Sequence, residues 1–296
     1  MLKNYNKQIL GIAALSLIVS FIAISCVGKK EKAVIGPPGY NLNNPQKYSM
    51  PDILQEISGI AFNKGNNAIV YAQQDEDGKL FKLPLGTKDD TKTKFAGKGD
   101  YEDVSIINNW AILLKSNGDL YSFPLSETTK EETDNVKKNM DLVPKGEYEG
   151  MFADEATGLV YLLCKNCKED KDSKLTSGYI LSFQQDGSLK AKGTFKVDAS
   201  KIDQLTGKKK GDFHPSGLAL NPLTKEWYIV SSVNKVLVVL NSKWQVKNAY
   251  HLSANVFNQP EGMAFDKDGN LYISNEGSET EVGNILRFDY KPVIKK

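Results

Sequence analysis

The hexapeptide ISGIAF at residues 57–62 has four counterparts further along the chain, which read YEDVSI (101–106), YEGMFA (148–153), PSGLAL (215–220) and PEGMAF (260–265). Each copy places a serine or glutamate directly before a glycine or aspartate and then continues into an apolar run. The recurring polar residues are Ser58, Glu102, Glu149, Ser216 and Glu261. Because the polar residue holds the same place in every copy, we expect the fold to gather all five side chains around one axis.

The spacing and surroundings of this motif indicate a β-propeller. The recurring polar residues are 44, 47, 67 and 45 residues apart, and repeats of roughly 40–50 residues are typical of propeller blades. Each motif is followed by a turn and an alternating strand, such as LYISNE (271–276), and then by a third strand, such as ILRFDY (285–290). Aromatic and β-branched residues, with Asp-Gly and Asn-Gly turns, favour antiparallel pairing. The sequence therefore predicts an all-β fold, a single propeller of five blades, in preference to six.

The last repeat lacks one strand. It runs out at Tyr290 without a fourth strand, and an unpaired strand edge is a liability in a soluble fold. We expect the segment YNLNNPQKYSM (40–50), just before the first motif, to supply that strand and close the ring, so that residues 40–296 form one propeller domain. Two insertions in the third repeat, at 165–178 and 198–212, explain the longest gap, and we expect the second to be polar and partly helical.

The N-terminus has the pattern of a targeting segment. Two lysines precede an apolar run at 9–24, and AISC (23–26) resembles a bacterial lipobox. We predict a signal peptide at 1–25, and a lipid-modified Cys26 with a tether at 26–39; the alternative is an uncleaved membrane anchor. Several acyl chains, such as palmitate, on Cys26 would give stable attachment. The predicted location is the bacterial cell envelope, anchored to a membrane at the periplasmic face or in the outer membrane.

The two other cysteines lie in LLCKNCKED (162–170). In an oxidising envelope compartment Cys164 and Cys167 can form a small-loop disulfide, although free thiols or a loop that shapes a ligand site also fit. A thioredoxin-like role would need a βαβ setting, and a zinc site would need ligands beyond the two histidines of the chain, His214 and His251. Redox catalysis and metal binding at this pair are the least favoured interpretations.

The charge of the chain is nearly balanced, with 38 Lys and Arg against 36 Asp and Glu. The lysines are scattered through turns instead of forming one stripe, and nucleic-acid binding proteins carry a concentrated basic surface. We therefore expect no nucleic-acid partner. The expected partners are the membrane, through the lipid anchor, and a small-molecule or protein ligand of unknown identity, and the protein is expected to be a monomer.

The motif strands of a propeller line its central channel, so three carboxylates and two hydroxyls would meet at the axis. Like charges so placed raise one another's pKa unless a cation neutralises them. A ring of hard oxygen ligands suits Ca²⁺ better than Zn²⁺ or Mg²⁺. The sequence thus predicts a Ca²⁺ site with the ligands Ser58, Glu102, Glu149, Ser216 and Glu261. The alternative is a water-filled channel whose glutamates pair with backbone amides or lysines.

The ends of the second strands carry polar residues that should surround one mouth of the channel. These candidate ligand-binding residues are Gln74, Asp75, Lys115, Lys165, Asn166, Ser232, Asn275 and Glu276. They also fit ordinary solvated loop ends. His214 immediately precedes the fourth motif and should lie beside the channel entrance.

The segments EISGIAF, YEDVSI, YEGMF, HPSGLALNP and PEGMAFDKDGNLYISNEG resemble those of the SdiA-regulated family of propellers. The resemblance covers about residues 45–290. It implies a five-bladed propeller and an envelope location, and it brings no established activity. The axial Ser/Glu pattern is also similar to that of calcium-activated nucleotidases, which implies a metal position and nothing further.

Two functions remain open on this basis. One is a non-enzymatic envelope lipoprotein whose propeller binds a ligand or partner. We favour this function because propellers often act as binding modules and because fold alone cannot assign a catalysed reaction. The other is a metal-dependent hydrolase of a phosphoester, nucleotide or lactone, in which the axial metal polarises the substrate. No catalytic residue can be named, because no Ser-His-Asp set is readable in the sequence.

Overall fold

The computed structural model describes residues 36–171, 173–207 and 213–292. The predicted signal peptide, the lipidation site Cys26 and most of the tether lie outside the described residues. Within the three described ranges no helix has both the length and the hydropathy needed to cross a membrane.

In the described part of the chain, twenty strands form five antiparallel sheets of four strands, which confirms the predicted five-bladed propeller. The first strand of the described residues is β1 (Gln46–Ser49). Blade one contains β2 (Ile57–Ala61), β3 (Val70–Gln74), β4 (Lys79–Leu83) and β5 (Thr91–Lys94). Blade two contains β6 (Tyr101–Ile107), β7 (Trp110–Lys115), β8 (Leu120–Pro124) and β9 (Lys137–Asn139). Blade three contains β10 (Gly146–Asp154), β11 (Leu159–Cys167), β12 (Leu175–Phe183) and β13 (Leu189–Asp198).

Blade four contains β14 (Gly217–Leu220), β15 (Trp227–Ser231), β16 (Val236–Leu240) and β17 (Val246–His251). Blade five contains β18 (Pro260–Phe265), β19 (Leu271–Asn275) and β20 (Asn284–Phe288). Helix α1 (Ala199–Thr206) connects blades three and four, so the second insertion is partly helical, as predicted. Short 3₁₀ helices lie at Asp52–Leu54, Asn63–Gly65, Leu125–Thr129 and Lys168–Asp170.

The N-terminal strand closes the ring, as the sequence predicts. β1 pairs antiparallel with β20, from Gln46 opposite Arg287 to Ser49 opposite Asn284, and becomes the fourth strand of blade five. The entry segment is also held by the buried Tyr40, whose hydroxyl donates to the carbonyl oxygen of Gly269 at 2.6 Å. The first and last strands of the domain, β1 and β20, therefore hydrogen-bond to each other.

The apolar core lies between the blades. Five clusters of buried side chains occupy the five contacts between neighbouring blades. The contact between blades five and one, for example, packs Ile57 and Phe81 against Tyr272. Because strand residues alternate between the two faces of a sheet, each blade contributes one face to the cluster before it and the other to the cluster after it.

The innermost strands approach one another at backbone contact. β2, β6, β10, β14 and β18 follow one another around the axis, and β18 contacts β2. A Cβ atom on Gly59 would lie 2.6 Å from the Cα atom of Asp103 in the next blade, and one on Gly262 would lie 2.4 Å from the carbonyl oxygen of Ser58. A Cβ atom on Gly217 would lie 2.5 Å from a main-chain oxygen of blade five. Blades one, four and five require glycine at this position because adjacent strands leave no room for a side chain there.

This packing predicts that Gly262→Ala destabilises the propeller. The added methyl group must displace the main chain of blade one, and overpacking of this kind costs about 1–3 kcal/mol of the free energy of unfolding. Chemical denaturation of the soluble protein measures the change.

Gly193→Ala provides the matched control. Gly193 lies in the outer strand β13, where an added Cβ atom meets nothing within 4 Å, so this substitution should leave stability unchanged or slightly raised. Equal destabilisation by both substitutions would contradict the steric account of the motif glycine.

Candidate functional site

The recurring polar residue of each motif sits at an irregularity of its strand. The register between first and second strands shifts at Ser58–Gly59, at Glu102, at Glu149 and at Glu261–Gly262. In blade four, Ser216 directly precedes β14. A β-bulge leaves its extra residue outside the ladder and re-aims the side chain. The bulge thus explains why this position is polar in blades one, two, three and five although its neighbours are buried in the core.

The three axial glutamates lie close enough to repel one another. Burial, followed by the charges of Glu149 and Asp100, raises the pKa of Glu102 to about 9. Burial, followed by the charge of Glu149, raises the pKa of Glu261 to about 7. Burial also raises the pKa of Glu149, against the opposing effect of Lys165. The carboxylates therefore share one poorly solvated space, in which each added negative charge is unfavourable.

A lysine from blade three enters this space as a counter-ion. The Lys165 ammonium group donates a hydrogen bond to the Glu149 carboxylate and lies 3.1 Å from a carboxylate oxygen of Glu147. Burial lowers the pKa of Lys165, but the ion pairs with Glu149 and Glu147 outweigh it and raise the pKa above its usual value. Its charge also acts to lower the pKa of Glu102. The Lys165 ammonium group therefore offsets part of the negative charge of the axial glutamates.

The two axial serines have different surroundings. The Ser216 hydroxyl accepts a hydrogen bond from the main-chain N–H of Ser232 at 3.3 Å, and it faces Glu149 and Glu261, whose pKa values it acts to lower. Ser58 is buried, and its carbonyl oxygen accepts from the Ser274 hydroxyl at 2.5 Å. Within the described ranges, contacts or charge effects connect Ser216 with the glutamates, and none connects the Ser58 hydroxyl with them.

Blade two has aspartate where the other four motifs have glycine. The Asp103 carboxylate accepts from the main-chain N–H of Val104 at 2.8 Å and from that of Met151, in blade three, at 2.7 Å. The side chain is buried, and burial raises its pKa well above the ordinary value although both hydrogen bonds oppose this. Asp103 therefore joins two blades beside the axis and is not a ligand-binding group.

Four of the eight candidate mouth residues are either buried or in contact with an aromatic ring. Gln74, Ser232 and Asn275 are buried. The Lys115 ammonium group lies over the ring of Tyr101, 5.7 Å from its centroid, in a cation–π contact. Lys115 therefore does not join Lys165 at the axis.

The other candidates fall into two groups at the mouth. Asp75 and Glu276 belong to an acidic group with Glu56. Burial and then the charge of Glu56 raise the pKa of Asp75 to about 6, and Glu276 accepts a hydrogen bond from the side chain of Gln259. Lys165 and Asn166 instead line a cavity of about 790 Å³ beside blade three, together with His214.

A disulfide joins Cys164 to Cys167, and Cys167 is one of the residues that line this cavity. It spans Lys165 and Asn166, so it constrains the backbone that carries the axial counter-ion. The Cys164 sulfur lies 3.3 Å from the carbonyl oxygen of Glu147, on the neighbouring strand β10. The bridge and the Lys165 ion pairs therefore fix the same hairpin, β10–β11, at the channel mouth.

The chemistry of the axial residues suits a hard cation. Carboxylate and hydroxyl oxygens are the ligands that Ca²⁺ prefers, and Glu102, Glu149, Ser216 and Glu261 offer both kinds. Within the described residues, only Cys164, Cys167 and Asp170 bring three potential ligand atoms of His, Cys, Asp or Glu within 4.8 Å of one another. The axial carboxylates are thus spread more widely, around a space that Lys165 enters. The disulfide withdraws the two cysteine sulfurs from metal binding.

Sequence reasoning did not assign three of the residues that shape this site. Glu147 pairs with Lys165, Asp100 raises the pKa of Glu102, and Asp103 joins two blades. Two signals were visible in the sequence. Glu147 stands two residues before Glu149, and Asp103 is the single departure from glycine in the motif. The contact of Lys165 with Glu149 was not visible, because it depends on the irregular pairing of β10 and β11 that leaves both residues outside the ladder.

Together the fold and the site define a five-bladed β-propeller with an acidic axial centre. The sequence profile of the SdiA-regulated family matches residues 32–279, and the chain belongs to this family. A search of curated protein sequences finds no match.

Solved structures with a similar fold share little sequence with this chain. Glutaminyl cyclase from Myxococcus xanthus superimposes with a TM-score of 0.55 at 12% identity, over 83% of this chain and 95% of that one. A luciferin-regenerating enzyme gives 0.50 at 9% identity, over 84% and 98% of the two chains. The calcium-binding protein regucalcin from Agrobacterium tumefaciens gives 0.48 at 11% identity, over 87% and 97%. Similarity at this level concerns the fold alone.

The raised pKa of Glu102 predicts a pH-dependent stability in the absence of metal. Between about pH 4.5 and about pH 9 the folded protein keeps a proton on Glu102 that the unfolded chain releases. The free energy of unfolding should therefore fall as the pH rises through this interval. Denaturant unfolding in the presence of a chelator, at several pH values, measures the slope, and Glu102→Gln should make it shallower.

Glu131→Gln is the control, because Glu131 is exposed and far along the chain from the axial motifs. It should leave the slope unchanged. A Glu102→Gln protein with the slope of the wild type would show that the axial carboxylate is solvated and ionised in the folded state.

Proposed function

We propose that this protein is a lipid-anchored propeller of the bacterial cell envelope that binds Ca²⁺ at its axis and a ligand or partner at the channel mouth, without catalysing a reaction. The observation that carries the proposal is the convergence of Glu102, Glu149 and Glu261 in one poorly solvated space, where their charges act on one another. Only one of them, Glu149, has a direct ion pair among the described residues.

The electrostatics of the axis support a cation site. One buried carboxylate, that of Glu149, and two partly buried ones face a single ammonium group, and an excess of negative charge there is favourable only when a cation or protons balance it. Glu102, Glu149 and Glu261 would hold Ca²⁺, with the Ser216 hydroxyl as a further oxygen ligand. Bound there, the ion would neutralise the carboxylates and connect blades two, three and five across the channel.

The sequence supports the envelope location. The apolar run at 9–24 ends in AISC (23–26), and a cysteine in this position is the acceptor of lipid in bacterial lipoproteins. The segment from Val27 to the first strand is long enough to separate the propeller from a membrane surface. A protein that binds a ligand at that surface needs only the residues of the channel mouth and the lipid anchor at Cys26.

Calcium should stabilise a soluble form that begins at Val27. At a free Ca²⁺ concentration of about 100 times Kd, binding to the folded state adds about 2.7 kcal/mol to the free energy of unfolding. Thermal unfolding with added chelator and then with excess Ca²⁺ measures this effect, and calorimetric titration gives Kd. Glu149→Gln and Glu261→Gln should each weaken binding at least tenfold, whereas Glu131→Gln should not.

Lys165→Gln distinguishes a Ca²⁺ site from a lysine-neutralised channel. Removal of the competing ammonium group should tighten Ca²⁺ binding, because the ion no longer displaces it from Glu149. If Ca²⁺ changes neither the melting curve of the wild type nor that of Lys165→Gln, the axial metal is absent. Hydrolysis of phosphoesters, nucleotides or lactones by the Ca²⁺-loaded protein would contradict a purely binding role.

Cys26→Ser should abolish lipid attachment at the N-terminus of the protein. In a bacterial host the wild type should fractionate with membranes and carry acyl chains at a mature N-terminus, as mass spectrometry can determine. The variant should accumulate without acyl chains as an unprocessed precursor. A wild-type protein that retains residues 1–25 would favour the uncleaved anchor instead.

A further inference from the structure

The described residues of the two insertions of the third repeat line a cavity. Its lining includes Asn166 and Thr176 of the β11–β12 hairpin and Ser200 at the start of α1. His214 completes the cavity where the chain enters blade four. The volume, about 790 Å³, lies within the range of small-molecule sites, about 300–1,000 Å³.

Two of the charged residues in the cavity wall are already neutralised by neighbours. The Asp170 carboxylate accepts from the main-chain N–H of Ser177 at 2.8 Å and lies 3.3 Å from the ammonium group of Lys196. Lys165 is paired with Glu149 at the axis. Neither charge is therefore available in full to a ligand.

The remaining charges of the wall are mainly positive. Lys171 and Lys174 line the cavity, and within the described residues neither has a carboxylate oxygen within 4.0 Å. The opposing charge in the wall is that of Asp203, which likewise has no ion pair in the described ranges. Two lysines that line one cavity favour an anionic group there, because neither ammonium group would lose a carboxylate partner by binding it.

The lining of the cavity also includes apolar groups. Phe213, Ala199 and the disulfide-bonded Cys167 are buried residues that line it. Leu175 adds an aliphatic side chain that is 37% exposed. A ligand that fills this space would place apolar surface against these groups and its charged group at the lysines.

We propose that this cavity binds a small organic anion, with its carboxylate, sulfonate or phosphate group held by Lys171 and Lys174 and its apolar body against Phe213 and the disulfide. This inference rests on the proposed binding function and names the chemistry of the ligand. It does not depend on the axial Ca²⁺, because neither lysine contacts the axial glutamates in the described residues.

The test compares two fluorescent probes that have the same rings and differ in one sulfonate group. Anilinonaphthalene sulfonate carries an anionic group, and N-phenylnaphthylamine has the same rings without it. Titrations in chelator, on the soluble form, should show one sulfonate probe bound per protein. The double substitution Lys171→Gln, Lys174→Gln should weaken binding of the sulfonate probe about tenfold and leave the neutral probe unaffected. Ser200→Trp, which fills the cavity, should weaken both.

The control substitution is Lys190→Gln with Lys192→Gln, which removes two exposed lysines from the outer strand of the same blade and should change neither titration. Equal loss of both probes in the Lys171/Lys174 variant, or sulfonate binding that survives both that variant and Ser200→Trp, would overturn the proposal. So would an absence of sulfonate binding by the wild type. Because chelator is present throughout, these results are independent of Ca²⁺ binding, which the melting curves report separately.

Discussion

Around the channel axis, neighbouring inner strands pack with main-chain atoms of one blade against the motif glycine of another. Gly59 faces Asp103, Gly217 faces blade five, and Gly262 faces the carbonyl oxygen of Ser58. The inner strand of each blade contacts that of the next, so the contacts run once around the molecule and return to blade one. The interblade cores, the bulges and the positions of the axial side chains all depend on this close approach.

The same constraint brings the glutamates together. A bulge is needed where the strand makes its close contact, and the residue at the bulge projects out of the ladder toward the axis. Short spacing between the inner strands then places Glu102, Glu149 and Glu261 in a common space, where water is too scarce to solvate three charges. Their raised pKa values follow from the geometry of ring closure and not from any one local contact.

The sequence predicted those parts of the structure that repeat. Periodicity located the five blades, and the missing fourth strand after Tyr290 located the closure by β1, because a count of strands exposes a deficit. Single departures from the repeat were harder to interpret. Asp103 looked equivalent to the motif glycines, yet its carboxylate binds the main chain of the next blade. Lys165 and Lys115 looked equivalent at the ends of second strands, but only Lys165 reaches the axis, since the longer hairpin and bulge of blade three redirect it.

Comparison among the five blades separates the requirements of folding from those of the site. Ser58 and Ser216 occupy the axial position without charge, and their blades close against their neighbours as the others do. A small hydroxyl side chain therefore satisfies the geometry of the ring. The glutamates add a burial cost and mutual repulsion, which a fold would avoid if closure alone mattered. Lys165, held between two bonded cysteines, offsets part of that cost for Glu149 but makes no hydrogen bond to Glu102 or Glu261 among the described residues. The mutual repulsion of the three carboxylates is thus a property of the site and not of ring closure, and bound protons or a cation would relieve it.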